Sequence, residues 1–303
     1  MDWQRDGKDW PHRERSRFVQ AGGLTWHVQL FEAGDARAPV ALLLHGTGAS
    51  THSWRDVAPL LVQRGYTVIA PDLPGHAFTG MPPGGVGAPQ LGLNGMARAM
   101  QALLGILHAE PTLVVGHSAG AAIAIRMALD GLIHPQRIVG INAAVLPLGG
   151  LAGPLFSPVA KLMAAAPLVP RLFAWRARNP AVLERLLGST GSKLDPAGTA
   201  LYQRLVSHPA HAAGALAMMA NWNLPQLARD LPRLDTPLDL FVGDHDRTVP
   251  PAHGALIRER LAPAARGELV VLQGLGHLAH EEAPERVVAA ISPSAGIPQG
   301  VRA

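Results

Sequence analysis

The run Gly116-His117-Ser118-Ala119-Gly120 places a serine between two glycines, directly after Leu113-Val114-Val115 and directly before the small-residue run Ala121-Ala122-Ile123-Ala124. An apolar β-branched run, a sharp turn and a helical run put Ser118 at the apex of a strand–turn–helix elbow. There Gly116 and Gly120 let helix and strand pass without a Cβ between them. A glycine turn whose serine merely caps the next helix has the same local pattern. What separates the two readings is whether the chain also supplies a base, an acid and oxyanion donors.

It supplies all three. Gly243-Asp244-His245-Asp246 follows the strand-like Phe241-Val242, and Gly274-Leu275-Gly276-His277 follows Leu269-Val270-Val271-Leu272. Serine, acid and histidine thus come in an order known for elbow-type sites, each after a strand, so Ser118, Asp246 and His277 can converge. Asp244 competes with Asp246. The later residue is preferred, and Asp244 is expected to serve the turn. His280 competes with His277. It is expected at a helix start as a solvated or capping group beside Glu281 and Glu282, whereas His277 lies in the glycine-flanked loop. After the strand Arg137–Ile141, Asn142-Ala143-Ala144 offers no alternative acid. His45-Gly46-Thr47-Gly48 would add the second oxyanion donor, the Thr47 amide, to that of Ala119. His45 and His117 are expected to brace the elbow, and His76 to shape a loop.

The elements that must position these residues follow from pattern. Ser16–Gln20 and Leu24–Leu30 read as a hairpin around Ala21-Gly22-Gly23. Val40–Leu44 and Tyr66–Ala70 are continuous apolar runs, suited to strands buried on both faces. Ser53 is expected to cap a helix over 54–61, and Met96, Met100, Leu103, Leu104 and Leu107 mark another helix after a Gly/Pro-rich loop at 79–95. Residues 5–15 read as polar and irregular. Strands alternating with helices predict an α/β architecture, a mostly parallel eight-stranded sheet with helices on both faces. The alternation breaks from Pro147 to Leu234, where short helices are expected at 162–163, 172–175, 182–183, 201–206 and 213–222. Hence residues 1–146 and 235–303 are expected to form the core, and 147–234 a helical cap (lid) inserted between core strands. Trp54, Trp175, Met218, Met219 and Trp222 are candidates to line an apolar substrate pocket, although each could equally pack the interior.

Composition closes off other chemistry. There is no cysteine, which excludes disulfides and thiolate sites. The histidines lack metal-ligand spacing and no dinucleotide fingerprint follows the first strand, so no metal and no cofactor is expected. The net charge is +4, but the arginines are scattered and no aromatic-interleaved basic run occurs, so nucleic acid is not an expected partner. Weak attraction to an anionic membrane fits the charge. The uncharged run 138–160 carries Pro147, Gly149, Gly150, Gly153, Pro154 and Pro158, too many breakers for a membrane span; a strand and a linker are expected. Met1–Asp6 is acidic and lacks the apolar core of a secretory signal, and the tail from Pro293 reads as loose.

Together these motifs resemble the α/β-hydrolase superfamily over about residues 16–292. The stretches Trp10–Val19, His45–Trp54, Val115–Ala122, Leu172–Arg178, Ala215–Ala220 and Gly276–Glu282 are similar to the magnesium-chelatase accessory proteins of bacteriochlorophyll synthesis. Ala77, where many relatives have glycine after Pro-Gly-His, departs from the pattern in a loop. The resemblance implies a role near magnesium insertion into protoporphyrin, with chelation itself attributed to other subunits. It also implies a small apolar molecule such as a porphyrin as ligand, magnesium-chelatase subunits as partners, and a cytoplasmic location at the edge of the photosynthetic membrane. Two functions fit: a serine hydrolase of a bulky apolar ester or acyl compound, and a non-catalytic binding protein that reuses the fold.

Overall fold

A computed structural model describes residues 1–147, 166 and 168–291. The strand runs of the sequence form one eight-stranded sheet in the order β1-β2-β4-β3-β5-β6-β7-β8. The first half of the chain contains α1 (Trp3–Asp6), β1 (Ser16–Ala21), β2 (Leu24–Phe31), β3 (Val40–Leu44), α2 (Val57–Gln63), β4 (Thr67–Pro71), α3 (Leu93–Ile106), β5 (Pro111–His117), α4 (Ala119–Leu129) and β6 (Arg137–Ile141). Among the described residues, five α-helices then intervene: α5 (Leu168–Arg176), α6 (Pro180–Ser189), α7 (Pro196–Val206), α8 (Pro209–Ala220) and α9 (Leu224–Asp230). The chain returns to the sheet with β7 (Leu238–Gly243), α10 (His253–Arg260), β8 (Arg266–Leu272), α11 (Ala279–Glu282) and α12 (Pro284–Ala290). Gly22 and Gly23, both at positive φ, make the tight turn joining β1 to β2.

β1 and β2 pair antiparallel, β2 pairs antiparallel with β4, and all other pairs are parallel. The central strands read as unbroken apolar runs because both faces are covered. In β3, Leu42 and Leu44 enter one core while Ala41 and Leu43 enter the other. In β5, Val114 faces the first and Leu113 and Val115 the second. The period of two therefore survives as a division between two cores rather than between core and solvent. β1 and β8 are the edge strands, and on β8 the outward residues Leu269 and Val271 are partly exposed.

Winding reverses direction between β3 and β5, which lie side by side with Leu44 opposite Gly116. Such a switch point opens a crevice at the carboxyl ends of the strands. The Thr47 loop and the Ser118 elbow both start there.

Several expectations need correction. Residues 5–15 are irregular beyond the end of α1 and a 3-10 turn at Arg13–Arg15, but they are not polar throughout and are anchored to the core. Trp10 is buried and its indole N–H donates to Thr51 Oγ1 at 3.1 Å, while the Gln29 amide donates to Pro11 O at 2.6 Å. Ser53 caps no helix: 51–54 is a 3-10 turn, the Ser53 hydroxyl donates to Ser50 O, and the α-helix starts at Val57. The 79–95 loop contains two 3-10 turns and ends at Leu93, where α3 begins. The expected helix at 162–163, most of the linker and the tail from Pro293 lie outside the described residues. No helix among the described residues is long and apolar enough to cross a membrane.

Candidate active site

Ser118 sits at φ +51°, ψ −113°, in the left-handed half of backbone space that a side chain rarely adopts. Strain of this kind persists only where the surroundings enforce it. Here the Ser118 N–H donates to Ile141 O at 2.9 Å, and Ser118 O accepts from Ala144 N at 3.1 Å. The elbow is thereby tied to the end of β6. The flanking glycines are steric necessities. A Cβ on Gly120 would lie 2.0 Å from Leu44 O, and one on Gly116 would lie 2.4 Å from Ala121 N.

The Thr47 loop presses on the same point, since a Cβ on Gly46 would lie 3.2 Å from Ser118 Cβ. Ala119 is the first residue of α4, so its amide has no partner within the helix. The Thr47 amide makes no turn or loop bond among the described residues. Two free N–H groups beside a serine at a helix N-terminus are suited to an anionic oxygen.

Asp246 and His277 lie in the loops after β7 and β8, both buried. His277 Nδ1–H donates to Asp246 Oδ2 at 2.7 Å, while Asp246 Oδ1 accepts from the amides of Thr248 at 2.7 Å and Val249 at 2.9 Å. Both carboxylate oxygens are thus committed, and the imidazole is left with Nε2 free to accept a proton. Asp244 accepts from Gly274 N at 2.7 Å and so ties the two loops together at the turn. His117, next to Ser118, brings the loops and the elbow together. Its Nε2–H donates to His277 O at 2.9 Å and the two rings lie 4.7 Å apart.

A model of the alpha/beta hydrolase family matches residues 41–290. The chain belongs to the alpha/beta hydrolase family. It is 42% identical over 281 residues to the magnesium-chelatase 30 kDa subunit of Rhodobacter capsulatus, covering 91% of this chain and 93% of that protein. A fluoroacetate dehalogenase from a Burkholderia species is 34% identical over 125 residues, 41% of this chain and 38% of its own length. Among solved structures, an alpha/beta hydrolase fold protein from Burkholderia ambifaria superimposes with a TM-score of 0.72 at 23% identity, covering 91% of this chain and 98% of that one. A putative lipase from Acinetobacter baumannii superimposes equally well, at 20% identity over 91% and 88% of the two chains. The latter two bear on the fold alone.

Around Ser118, Asp246 and His277 the expected pocket residues take different positions. Met218, on α8, is buried with its sulfur 3.5 Å from Thr47 Oγ1, directly on the Thr47 loop. Met219 and Trp222 are half-buried, and Trp222 packs against the core. Trp54 is fully buried against the His280 ring at 4.5 Å. Trp175 is 64% exposed on the outside of α5.

His280 is not a solvated or capping residue. It is fully buried between Trp54 and His117, with neither ring nitrogen hydrogen-bonded among the described residues. Burial, and then the neighbouring His277, push its pKa down to about 3. Burial likewise holds His117 well below its ordinary value, with His280 and His277 adding to the effect. Both of these rings are therefore neutral at neutral pH. His45 is neutral for a related reason: burial lowers it, its Nε2 accepts from Leu73 N, and Nδ1–H donates to Gly46 O.

Two sets of positioning groups escape a reading of the sequence. Asn142, at φ +46°, donates from Nδ2 to both Gly276 O at 2.9 Å and His277 O at 2.8 Å, and accepts from Gly243 N at 2.8 Å. In the sequence its position shows only the lack of a carboxylate; its amide can satisfy two carbonyls and one N–H at once. The second set follows α6. Thr190 O accepts from both Arg247 N and His277 N at 3.2 Å, and Ser192 Oγ accepts from Leu278 N at 2.8 Å. A Cβ on Gly191 would lie 2.0 Å from His245 O. The sole advance signal was the turn-forming run Ser189-Thr190-Gly191-Ser192.

Proposed function

We propose that this chain is a magnesium-chelatase accessory protein of bacteriochlorophyll biosynthesis that carries a serine-hydrolase site acting on a bulky apolar ester or acyl compound. The pathway role is supported by the 42% identity to a magnesium-chelatase 30 kDa subunit. The chemistry rests on one observation above others: the 2.7 Å bond from His277 Nδ1 to Asp246 Oδ2 beside a serine held at φ +51°.

In this reading His277 Nε2 takes the Ser118 hydroxyl proton as Oγ attacks the acyl carbon. Asp246 holds the ring tautomer and offsets the imidazolium charge. The oxyanion accepts from the Thr47 and Ala119 amides. His277 then protonates the leaving alcohol, and water repeats the sequence to free Ser118. Residues 147–234 act as the cap over a core of 1–146 and 235–303. Met218, with Met219 and Trp222 nearby, presents an apolar roof suited to a porphyrin ester.

A labelled fluorophosphonate should modify the native protein at Ser118 and fail to modify Ser118→Ala. In cells, Ser118→Ala should lose pigment synthesis while remaining folded. A folded native protein that resists labelling, together with full complementation by Ser118→Ala, would instead establish a non-catalytic protein that binds a porphyrin or a chelatase subunit.

A further inference from the structure

The helix α5 carries an apolar stripe on its outer side. Leu168 is 71% exposed, Leu172 57% and Trp175 64%, and Phe173 beside them is 37% exposed. At 100° per residue, Leu168, Leu172 and Trp175 fall within roughly 60° of one another on the helix circumference. The helix buries Pro170 and Ala174, which fall on the opposite side, and it packs against α8. The stripe is therefore the face turned away from the rest of the described residues. Scattered exposed apolar residues are ordinary, whereas three large ones aligned on one short helix form a patch.

The charges around the stripe say what would cover it. Arg171 and Arg176 flank it, roughly 60° to 80° to either side of Leu168. Arg178 and Arg185 follow within the next three turns of chain, and all four are exposed. Glu184 is the single acidic residue between 168 and 190. None of the four arginines pairs with a carboxylate among the described residues. A protein partner would need both an apolar groove and a matching row of acids. A lipid surface offers acyl chains to the stripe, a headgroup boundary to the Trp175 indole and anionic phosphates to the arginines, with no shape to match.

We propose that the outer face of α5 docks this protein on an anionic lipid surface, with Leu168, Leu172 and Trp175 inserted and the arginines at the headgroups. The proposal stands independently of catalysis at Ser118. It also gives α8 a place: that helix lies between α5 and the oxyanion loop, with Met218 against Thr47. An apolar compound dissolved in the bilayer would then meet the protein on the side of the molecule that roofs the site.

The test is co-sedimentation of the full chain with vesicles. One set is phosphatidylcholine alone; the other mixes it with phosphatidylglycerol. Binding to the mixed vesicles should exceed binding to the neutral ones by roughly tenfold and fall as salt is raised. Leu172→Asp with Trp175→Asp should lose binding at least tenfold while the melting temperature is unchanged, because both side chains are exposed. Arg171→Glu with Arg176→Glu should abolish the preference for phosphatidylglycerol. Brominated lipid should quench the native protein's fluorescence more than that of Trp175→Phe. Failure to bind mixed vesicles, or binding that survives the Leu172/Trp175 pair of changes, overturns the proposal. So does a dimer in solution that the same pair of changes dissolves without any vesicle binding, since a second copy would then cover the face.

Discussion

The two halves of the candidate site are built by different means. On the serine side, β3 and β5 are neighbours in one sheet, and contact between the Thr47 loop and the elbow is enforced by exclusion: Gly120 passes so close to Leu44 O that no side chain fits. On the acid–base side, the loops after β7 and β8 are held by hydrogen bonds from distant chain segments, Asn142 at the end of β6 and Thr190 to Ser192 after α6. Close packing needs residues of the right size near one another in a regular element. A bridging carbonyl or amide can come from anywhere in the chain. The serine half should therefore fail all at once when perturbed, and the histidine half by degrees.

The largest expected effect breaks the histidine half without touching the fold. Asp246→Asn should slow fluorophosphonate labelling of Ser118 by roughly 10⁴-fold, because the asparagine amide favours the wrong imidazole tautomer. The melting temperature should change little by comparison, and equal labelling of variant and native protein would remove Asp246 from the site. Gly120→Val attacks the serine half. With a Cβ 2.0 Å from Leu44 O it should cost about 3 kcal/mol or more in urea unfolding, and labelling should vanish together with the fold.

Asn142→Ala should fall between these. Losing the bridge to Gly243, Gly276 and His277 should slow labelling by roughly thirtyfold, equivalent to about 2 kcal/mol. The rate should drop in protein that is still folded, which separates this half from the other. The smallest expected effect concerns how α7 is anchored beside His277. Tyr202 on α7 donates to Glu281 Oε1 at 2.8 Å, and burial raises the Glu281 pKa from 4.5 to about 8. The unfolded carboxyl ionises near 4.5 while the folded one stays protonated, so this contribution is complete below pH 4.5 and declines as pH rises to about 8. Glu281→Gln should flatten that decline, measured as urea stability between pH 5 and 8. An unchanged pH slope would show that Glu281 ionises normally in the fold.

Much of this was legible in the residues themselves. The runs at 40–44, 66–70, 113–115, 137–141 and 238–242 fall inside or within a residue of the strands β3 to β7, because a strand covered on both faces has few places for polar residues. Ser118, His277 and Asp246 were legible because each follows such a run and lies beside glycine or in a short loop. The His280 environment was not: four residues of helix beside two glutamates look exposed until α7 and Trp54 close over them. Nor could Trp175 be told from Met218, since apolar residues in an amphipathic insertion do not announce which face turns inward.

By itself, then, the sequence determined the alternation of strand and helix, the serine elbow and the order of serine, acid and histidine, all of which depend on residues close together in the chain. Tertiary structure alone decided that Asn142 and Thr190 join the loops, and which apolar side chains reach the site and which face outward. These depend on contacts between residues as far as 171 apart in the chain, and in several of them one partner is a backbone carbonyl or amide that every residue carries and that leaves no mark in the choice of side chain.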